Sequence, residues 1–455
     1  MIRLSLDEVA RLVAGTTRHP AVEISGVSTD SRSLHPGELF VALRGLRHDG
    51  HDAVPEAMAR GAVAVVVSRP MPSSSIPQVV VGDTREALGC LAQGWRLRHS
   101  CPVIGITGSN GKTTTKELVA AILRRRGPIL ATRGNLNNHI GVPLTLFGLG
   151  PEHHAAVIEM GANAMADIAD LADIARPTIG IVTLCGPAHL EGFGSIENVA
   201  IAKGRIFEAL PADGIAVINA DDRFAADWRA ATTAGKIVTF GLGDGADVTA
   251  SKIELGGPGE GISFHLHSPW GEADVRLTLD GEHNVRNALA ASAAAMSAGA
   301  DLADVVAGLA DAAPVKGRLV LRTGHSGARV IDDSYNANPA SLAAALAVLA
   351  RAGGRRWLVL GDMGELGTAE TSAHVEAGVQ ARAAGIERLF TLGPRARLAA
   401  ASFGPGGEAF DDLDALHATL AAAITAEVTV LVKASRMMGL DRLVERLSAE
   451  VMAPC

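Results

Sequence analysis

The stretch that decides the reading is Val103-Ile-Gly-Ile-Thr-Gly-Ser-Asn-Gly-Lys-Thr-Thr-Thr-Lys116. A short apolar run leads into a glycine-rich turn, then into Gly111-Lys112-Thr113 and a helix-compatible sequence. Glycines at 108 and 111 let the backbone approach an anion closely, so that its N–H groups point at phosphate oxygens. A helix starting there adds positive potential. Lys112 is placed to reach the β- and γ-phosphates and Thr113 to offer a hydroxyl to Mg²⁺. The longer form of this loop, G-x-x-x-x-G-K-[ST], has its first glycine where this chain has Ile106. The shorter T-G-x-x-G-K-T form is present instead, so the candidate nucleotide residues are Thr107, Gly108, Ser109, Asn110, Gly111, Lys112 and Thr113.

Outward from that loop, short apolar runs at 103–107, 156–160, 179–184 and 215–219 alternate with helical sequence. That pattern predicts βα units on a parallel sheet buried on both faces. From 238 to about 279 the texture changes to glycines and alternation (Ile262, Phe264, Leu266), which predicts a small antiparallel insert. An alanine-rich helix is expected over 284–298. Ahead of the loop, 39–43 and 62–67 read as strands, and the Pro/Ser-rich 70–77 as a surface loop. Beyond about 318, strands are expected at 330–332, 357–360, 389–392 and 428–432, with helices at 341–351, 371–384 and 413–423. At roughly 150 residues per domain, 455 residues suggest three domains.

Composition removes several classes. With 41 Lys plus Arg against 49 Asp plus Glu, the net charge is −8, the wrong sign for non-specific nucleic-acid binding. Aromatics at 3% leave few platforms for stacking bases. Cys90, Cys101, Cys185 and Cys455 are scattered, which suits a reducing compartment. The first ten residues carry Arg3, Asp7 and Glu8 and do not read as a signal peptide. No run of about 20 apolar residues exists to span a membrane. The expectation is a cytoplasmic, mildly acidic enzyme.

Other positions carry chemistry less securely. Glu159 ends the 156–160 strand beside the loop, where it is either a Mg²⁺ ligand or a solvated strand-end acid. His189, in Pro187-Ala-His-Leu-Glu-Gly-Phe-Gly-Ser195, is a metal-ligand candidate or an ordinary loop histidine. Lys203, on a helix, reads locally as a solvated charge. Asn284 and Asn287 lie one turn apart and could read a base edge, while Asn284 could also cap the helix, and both can hold at once. Asp332-Asp333-Ser334-Tyr335-Asn336-Ala337-Asn338-Pro339 ends a strand with more polar groups than a helix cap at Asn338 needs, and it holds the chain's single tyrosine.

In order, these motifs resemble the ATP-dependent Mur ligases of peptidoglycan synthesis. The resemblance rests on Thr107-Gly-Ser-Asn-Gly-Lys-Thr113, Asn135-Leu-Asn-Asn-His-Ile-Gly-Val-Pro-Leu-Thr145, Val157-Ile-Glu-Met-Gly-Ala162, Ala188-His-Leu-Glu-Gly-Phe-Gly-Ser195 and Gly281-Glu-His-Asn-Val-Arg-Asn287. The N-terminal Thr29-Asp-Ser-Arg-Ser-Leu-His-Pro-Gly-Glu-Leu-Phe-Val-Ala-Leu-Arg-Gly45 is similar to a UDP-sugar-holding segment of the family. No D-N-P-R motif of the diaminopimelate- or lysine-adding branch is found, which favours the branch that adds D-alanyl-D-alanine. The UDP-sugar-like segment argues against folylpolyglutamate and cyanophycin synthetases, which share the architecture.

The resemblance implies an α/β protein of three domains. They are a small N-terminal α/β substrate domain (1–100), a central P-loop parallel-sheet ATPase domain (101–317) and a C-terminal Rossmann-like domain (318–455). It implies ligation of D-Ala-D-Ala to UDP-N-acetylmuramoyl-tripeptide through an acyl phosphate, in the service of cell-wall biogenesis, shape and division. It implies ATP and two Mg²⁺ ions, with Lys112, Lys203 and His189 catalytic. Thr113, Glu159, His189 and a carbamylated Lys203 would serve the metals. Asn284 and Asn287 would contact adenine, and Arg318 and Asp333 would face the nucleotide from across a cleft. Asn336 and Asn338 would sit near the dipeptide, and Ser31 and Arg32 at the uridine diphosphate. A monomer is expected. Two positions depart from the pattern: Ala434 stands where glycine is expected, and Arg205 where an acid is common.

Overall fold

Three large sheets of five or six strands follow one another along the chain in the computed structural model, which describes residues 2–45, 48–187 and 190–449. The central sheet has six parallel strands. Across it they run Lys236–Phe240, Ile215–Asn219, Ile179–Val182, Val103–Thr107, Ala155–Glu159 and Ile129–Ala131. Val103–Thr107 and Ala155–Glu159 are buried at every position, as a sheet covered on both faces requires. Alternate residues divide between two cores: Ile104, Ile106 and Val157 face one, Val103, Ala156 and Ile158 the other. The first core is closed by the helices Lys112–Arg124 and Glu282–Ser297. The alanines of the second helix are small enough to bury nearly all round.

The other core runs unbroken into the N-terminal domain. Trp95 bridges the two, donating its indole N–H to Leu149 O at 3.0 Å, and Ile2 N donates to Phe147 O at 2.9 Å. The N-terminal domain has a five-stranded sheet in the order Thr16–Thr17, Gln78–Val80, Ala64–Val67, Leu39–Val41, Val27–Ser28.

The C-terminal sheet orders Val320–Thr323, Arg329–Asp333, Val428–Lys433, Arg355–Gly361, Arg388–Leu392 and Gly407–Phe410. Its first pair is antiparallel and the rest are parallel. Ile331, Leu358 and Leu360 face one core, and Val330, Trp357 and Val359 the other. The expected α/β class, the two parallel sheets and the antiparallel insert are all present. The insert itself is Thr249–Leu255, Ile262–Ser268 and Gly271–Leu277. It starts later than the sequence texture suggested, because residues 238–240 belong to the sixth parallel strand, paired with Ile215–Asn219.

Candidate active site

Thr107 ends its strand at the carboxyl edge of the central sheet, where ligands of such sheets bind. There the backbone turns at Gly108 (φ +149°) and Gly111 (φ +81°). A Cβ on Gly108 would lie 1.9 Å from Thr183 Oγ1, and one on Gly111 2.4 Å from Asn287 Oδ1, so both positions exclude a side chain. Ile106, where the longer loop form has a glycine, is a fully buried strand residue, and the turn begins at Gly108. Gly111 caps the helix Lys112–Arg124 without any side chain on the first amides, which leaves them and the helix dipole for an anion.

The loop is braced from behind by the next strand's exit. Thr183 Oγ1 donates to Asn110 O at 2.6 Å, Ser109 N to Leu184 O at 2.9 Å and Ser109 Oγ to Gly186 O at 2.8 Å. Lys112 Nζ donates to Gly108 O at 2.7 Å. Burial pushes this amine below the usual lysine value; Glu159 pulls it back up and Arg318 lowers it further.

Glu159 is 2% exposed and is no solvated acid. Its Oε1 accepts from Asn137 Nδ2 at 2.8 Å, and its backbone N–H donates to Thr132 Oγ1 at 3.0 Å. Its Oε2 is buried with no hydrogen-bond partner among the described residues, and neither has Thr107 Oγ1. An orphaned buried carboxylate oxygen beside a phosphate loop is costly unless a cation meets it. Hard oxygen donors of this kind suit Mg²⁺. Thr132 is itself held by Lys116, a fully buried lysine whose Nζ donates to Thr132 O at 2.8 Å.

Lys203 is 1% exposed, against the solvated reading of its helix position. Among the described residues no carboxylate pairs with it, and the ring of Phe193 lies 6.0 Å away. Burial first, then the charge of Lys112, holds its amine down to about 7, with Cys185 opposing. Arg205, where an acid is common, points away and pairs with Glu208 at 2.5 Å on the exposed side of the helix.

Two cavities meet at the loop. One, of about 560 Å³, lies between the central and C-terminal domains, and its lining includes Asn284, Asn287, Arg318 and Asp333. The other, of about 1040 Å³, takes residues from all three domains, among them Arg44 and Arg85, Lys112, Thr113 and Glu159, and Asn336, Asn338 and Arg436. Asn110, Gly111 and Arg318 border both.

In the smaller cavity Asn284 is not the helix cap that the sequence allowed it to be. The helix starts at Glu282 after Gly281, and Asn284 Nδ2 donates back to Asp280 O at 2.8 Å. Its Oδ1 accepts from Asn287 Nδ2 at 2.8 Å, so the two asparagines act as one unit. His283 beside them is held neutral to about pH 4 by burial, with Lys433 and Arg286 adding to the effect.

Asp333 Oδ2 accepts from Lys433 Nζ at 2.5 Å, and the same amine donates to Asn336 O at 3.0 Å. Burial pushes Asp333 up and Lys433 down, while their mutual attraction resists both. Ala434, the second departure, has no positive φ, and its methyl sits where a Cβ on Gly361 would fall, 2.6 Å away. The strand therefore exits without glycine because Gly361 makes the room. Arg318 stacks on Tyr335 at 4.3 Å, and Arg436 NH1 donates to Tyr335 Oη at 3.1 Å, so the one tyrosine holds two cleft arginines.

Asn338 caps the helix Pro339–Leu349 as expected, accepting from Ser341 N at 2.9 Å. It also reaches across the cleft: its Nδ2 donates to Asn110 Oδ1 at 2.8 Å. Ser31 and Arg32 border neither cavity; Ser31 Oγ donates to Glu56 Oε2 at 2.7 Å, and Arg32 grips Asp30 with two bonds of 2.9 and 2.7 Å. His189 lies outside the described residues. Asn137, Thr183, Lys116, Arg85 and the Asp333–Lys433 pair were not foreseen. Asn137 lay within the quoted 135–145 motif and Lys116 at the end of the quoted loop stretch, and Asp333 was named for the nucleotide but not for its pairing with Lys433; Thr183 and Arg85 carried no signal.

A phosphate loop on a parallel sheet, facing a second α/β domain across a shared cleft, is the arrangement of an ATP-using ligase. The chain belongs to the Mur ligase family. The family's catalytic domain matches residues 23–96, its middle domain 106–295, and its glutamate ligase domain 317–436. The chain is 43% identical to the UDP-N-acetylmuramoyl-tripeptide–D-alanyl-D-alanine ligase of Escherichia coli (strain K12), over 98% of this chain and 99% of that one. Among solved structures, MurF from Acinetobacter baumannii superposes with a TM-score of 0.92 at 37% identity, over 98% of both chains. The MurF ligase of Thermotoga maritima in complex with ADP gives 0.81 at 28% identity, covering 92% of this chain and 96% of that one.

Proposed function

We propose that this enzyme joins D-Ala-D-Ala to UDP-N-acetylmuramoyl-tripeptide at the expense of ATP, releasing ADP and phosphate. The observation that carries the proposal is the pair of cavities meeting at Asn110 and Gly111: one is lined by Asn284, Asn287, Arg318 and Asp333, the other gathers residues from all three domains. The named relatives supply the substrate identities.

A carboxylate is a poor electrophile. Transfer of the γ-phosphoryl group to the tripeptide carboxylate makes an acyl phosphate, and attack by the dipeptide amine then expels phosphate. Lys112 and the amides at the start of the helix Lys112–Arg124 stabilise the charge that develops on the phosphoryl oxygens. Asn284 and Asn287 meet the adenine, and Arg318 and Asp333 approach the nucleotide from the opposite wall. Asn336 and Asn338 stand near the amine donor. Ser31 and Arg32 hold the uridine end, away from the reaction cavity.

Glu159 Oε2, the Thr113 hydroxyl, His189 and Lys203 as its carbamate are the metal set. Mg²⁺ bound there supplies electrostatic neutralisation of the phosphates. An amine held near 7 supports the carbamate, because only neutral amine combines with CO₂. The domains are taken as 1–100, 101–317 and 318–455, and the enzyme as a cytoplasmic monomer, a setting consistent with ATP as co-substrate. No helix among the described residues is long and apolar enough to cross a membrane.

The test supplies UDP-muramoyl-tripeptide and ATP with a panel of amines and follows phosphate release. Release that depends on D-Ala-D-Ala supports the proposal. ATP binding with no amine-dependent release would instead mark a nucleotide switch.

A further inference from the structure

We propose that the three-stranded insert of the central domain holds a transition-metal dication of the zinc class between His265, His267 and Glu272. The strand Ile262–Ser268 turns Ile262, Phe264 and Leu266 into the core, each at most 3% exposed. His265 and His267 therefore share the opposite face. The neighbouring strand Gly271–Leu277 sets Asp274 opposite His265 and Glu272 opposite His267.

The hydrogen bonds sort the four imidazole nitrogens into two kinds. His265 Nδ1 lies 2.7 Å from Asp274 Oδ1, and His267 Nε2 lies 2.7 Å from Ser251 Oγ. The other two nitrogens converge on one carboxylate: His265 Nε2 is 3.5 Å from Glu272 Oε2, and His267 Nδ1 is 3.0 Å from Glu272 Oε1. One ligand atom from each of the three residues falls within 4.8 Å of the others.

Tetrahedral ligands at about 2.0–2.1 Å from zinc are about 3.4 Å apart, so modest side-chain rotation closes the set. Asp274 and Ser251 then stand where outer partners of metal-bound imidazoles stand, fixing the tautomer and leaving the inner nitrogen its lone pair. Three protein ligands leave a fourth position to solvent, which the exposure of Glu272 (61%) allows. Two nitrogen donors favour zinc-class ions over Mg²⁺, which separates this site from the oxygen-rich phosphate loop.

The experiment is equilibrium dialysis of the full-length protein against Zn²⁺ in excess Mg²⁺, with the wild type, the His265→Ala/His267→Ala double variant and Asp274→Ala. The wild type is expected to retain one zinc per chain more than the double variant. Asp274→Ala should weaken that zinc by about 10- to 100-fold. X-ray absorption on the zinc-loaded wild type should report two imidazoles on the metal, whatever the folding of the variants. Amine-dependent phosphate release by the double variant should match the wild type. Equal zinc retention in wild type and double variant, or fewer than two imidazoles on the zinc, overturns the proposal and leaves a cross-strand network of ion pairs only.

Discussion

Lys112 is a half-buried amine and Lys203 a fully buried one that feels the charge of Lys112. Lys112 is held over its own loop by the Gly108 carbonyl, and in the proposed mechanism it meets the charge on the phosphoryl group. Lys112→Ala should cut amine-dependent phosphate release by about 10²–10³-fold or more, since a preorganised donor is lost. Lys203 has no such partner among the described residues, and its amine, ordinarily near 10.5, is held at about 7. The unfolded chain keeps that proton up to 10.5, so between about 7 and 10.5 it binds more protons than the folded chain. Stability therefore climbs with pH across that window, and the penalty is full below 7. In CO₂-free buffer, where Lys203 stays a free amine, Lys203→Met removes the penalty: its melting temperature should exceed the wild type's most at pH 6 and by least near pH 10. The same change should remove turnover, and Lys203→Ala should be partly rescued by a short-chain carboxylic acid. Full activity without rescue would exclude Lys203 from the metal set. None of this was legible locally, because a lysine on an amphipathic helix looks solvated until the packing around it is known.

At the scale of elements, the strand–turn–helix around Gly111 was fully readable, since it depends on backbone freedom that only glycine supplies. Gly111→Ala should lower ATP affinity at least tenfold by calorimetry, because a side chain there meets Asn287 and a left-handed backbone. The helix Pro339–Leu349 offers a finer test. Asn338 both caps it and bonds Asn110. Asn338→Asp keeps the acceptor for Ser341 N but loses the amide that donates to Asn110. Its melting temperature should stay near that of the wild type while its KM for ATP rises. Asn338→Ala should in addition lose about 1 kcal/mol of stability in denaturant titration. Unchanged KM in both variants would assign Asn338 to capping alone. Buried strands were legible as apolar runs, but the edge strands Ile129–Ala131 and Gly407–Phe410 were not. They are three and four residues long and only partly buried, so no run marks them.

Across the whole molecule, the N-terminal and central domains share one hydrophobic core, whereas the C-terminal domain meets the central one through polar groups such as Asn338 on Asn110 and Arg351 on Gly256 O. Polar interfaces of that kind favour relative motion. The C-terminal domain should therefore be the moving body, and the radius of gyration in solution should fall when ATP analogue, UDP-muramoyl-tripeptide and dipeptide are all present. An unchanged radius would mean that the cleft works without closing.

The sequence by itself determined the phosphate loop, the α/β alternation and the doubly buried strands, because glycine geometry and hydrophobic periodicity are properties of neighbouring residues. The tertiary structure alone decided which groups are left unsatisfied and which are paired. Among the described residues Glu159 is bonded through one oxygen and bare at the other, Asp333 meets Lys433 from 100 residues away, and Asn110 meets Asn338 from 228. Desolvation and long-range hydrogen bonding exist only once distant segments have excluded water together, and no local pattern encodes that.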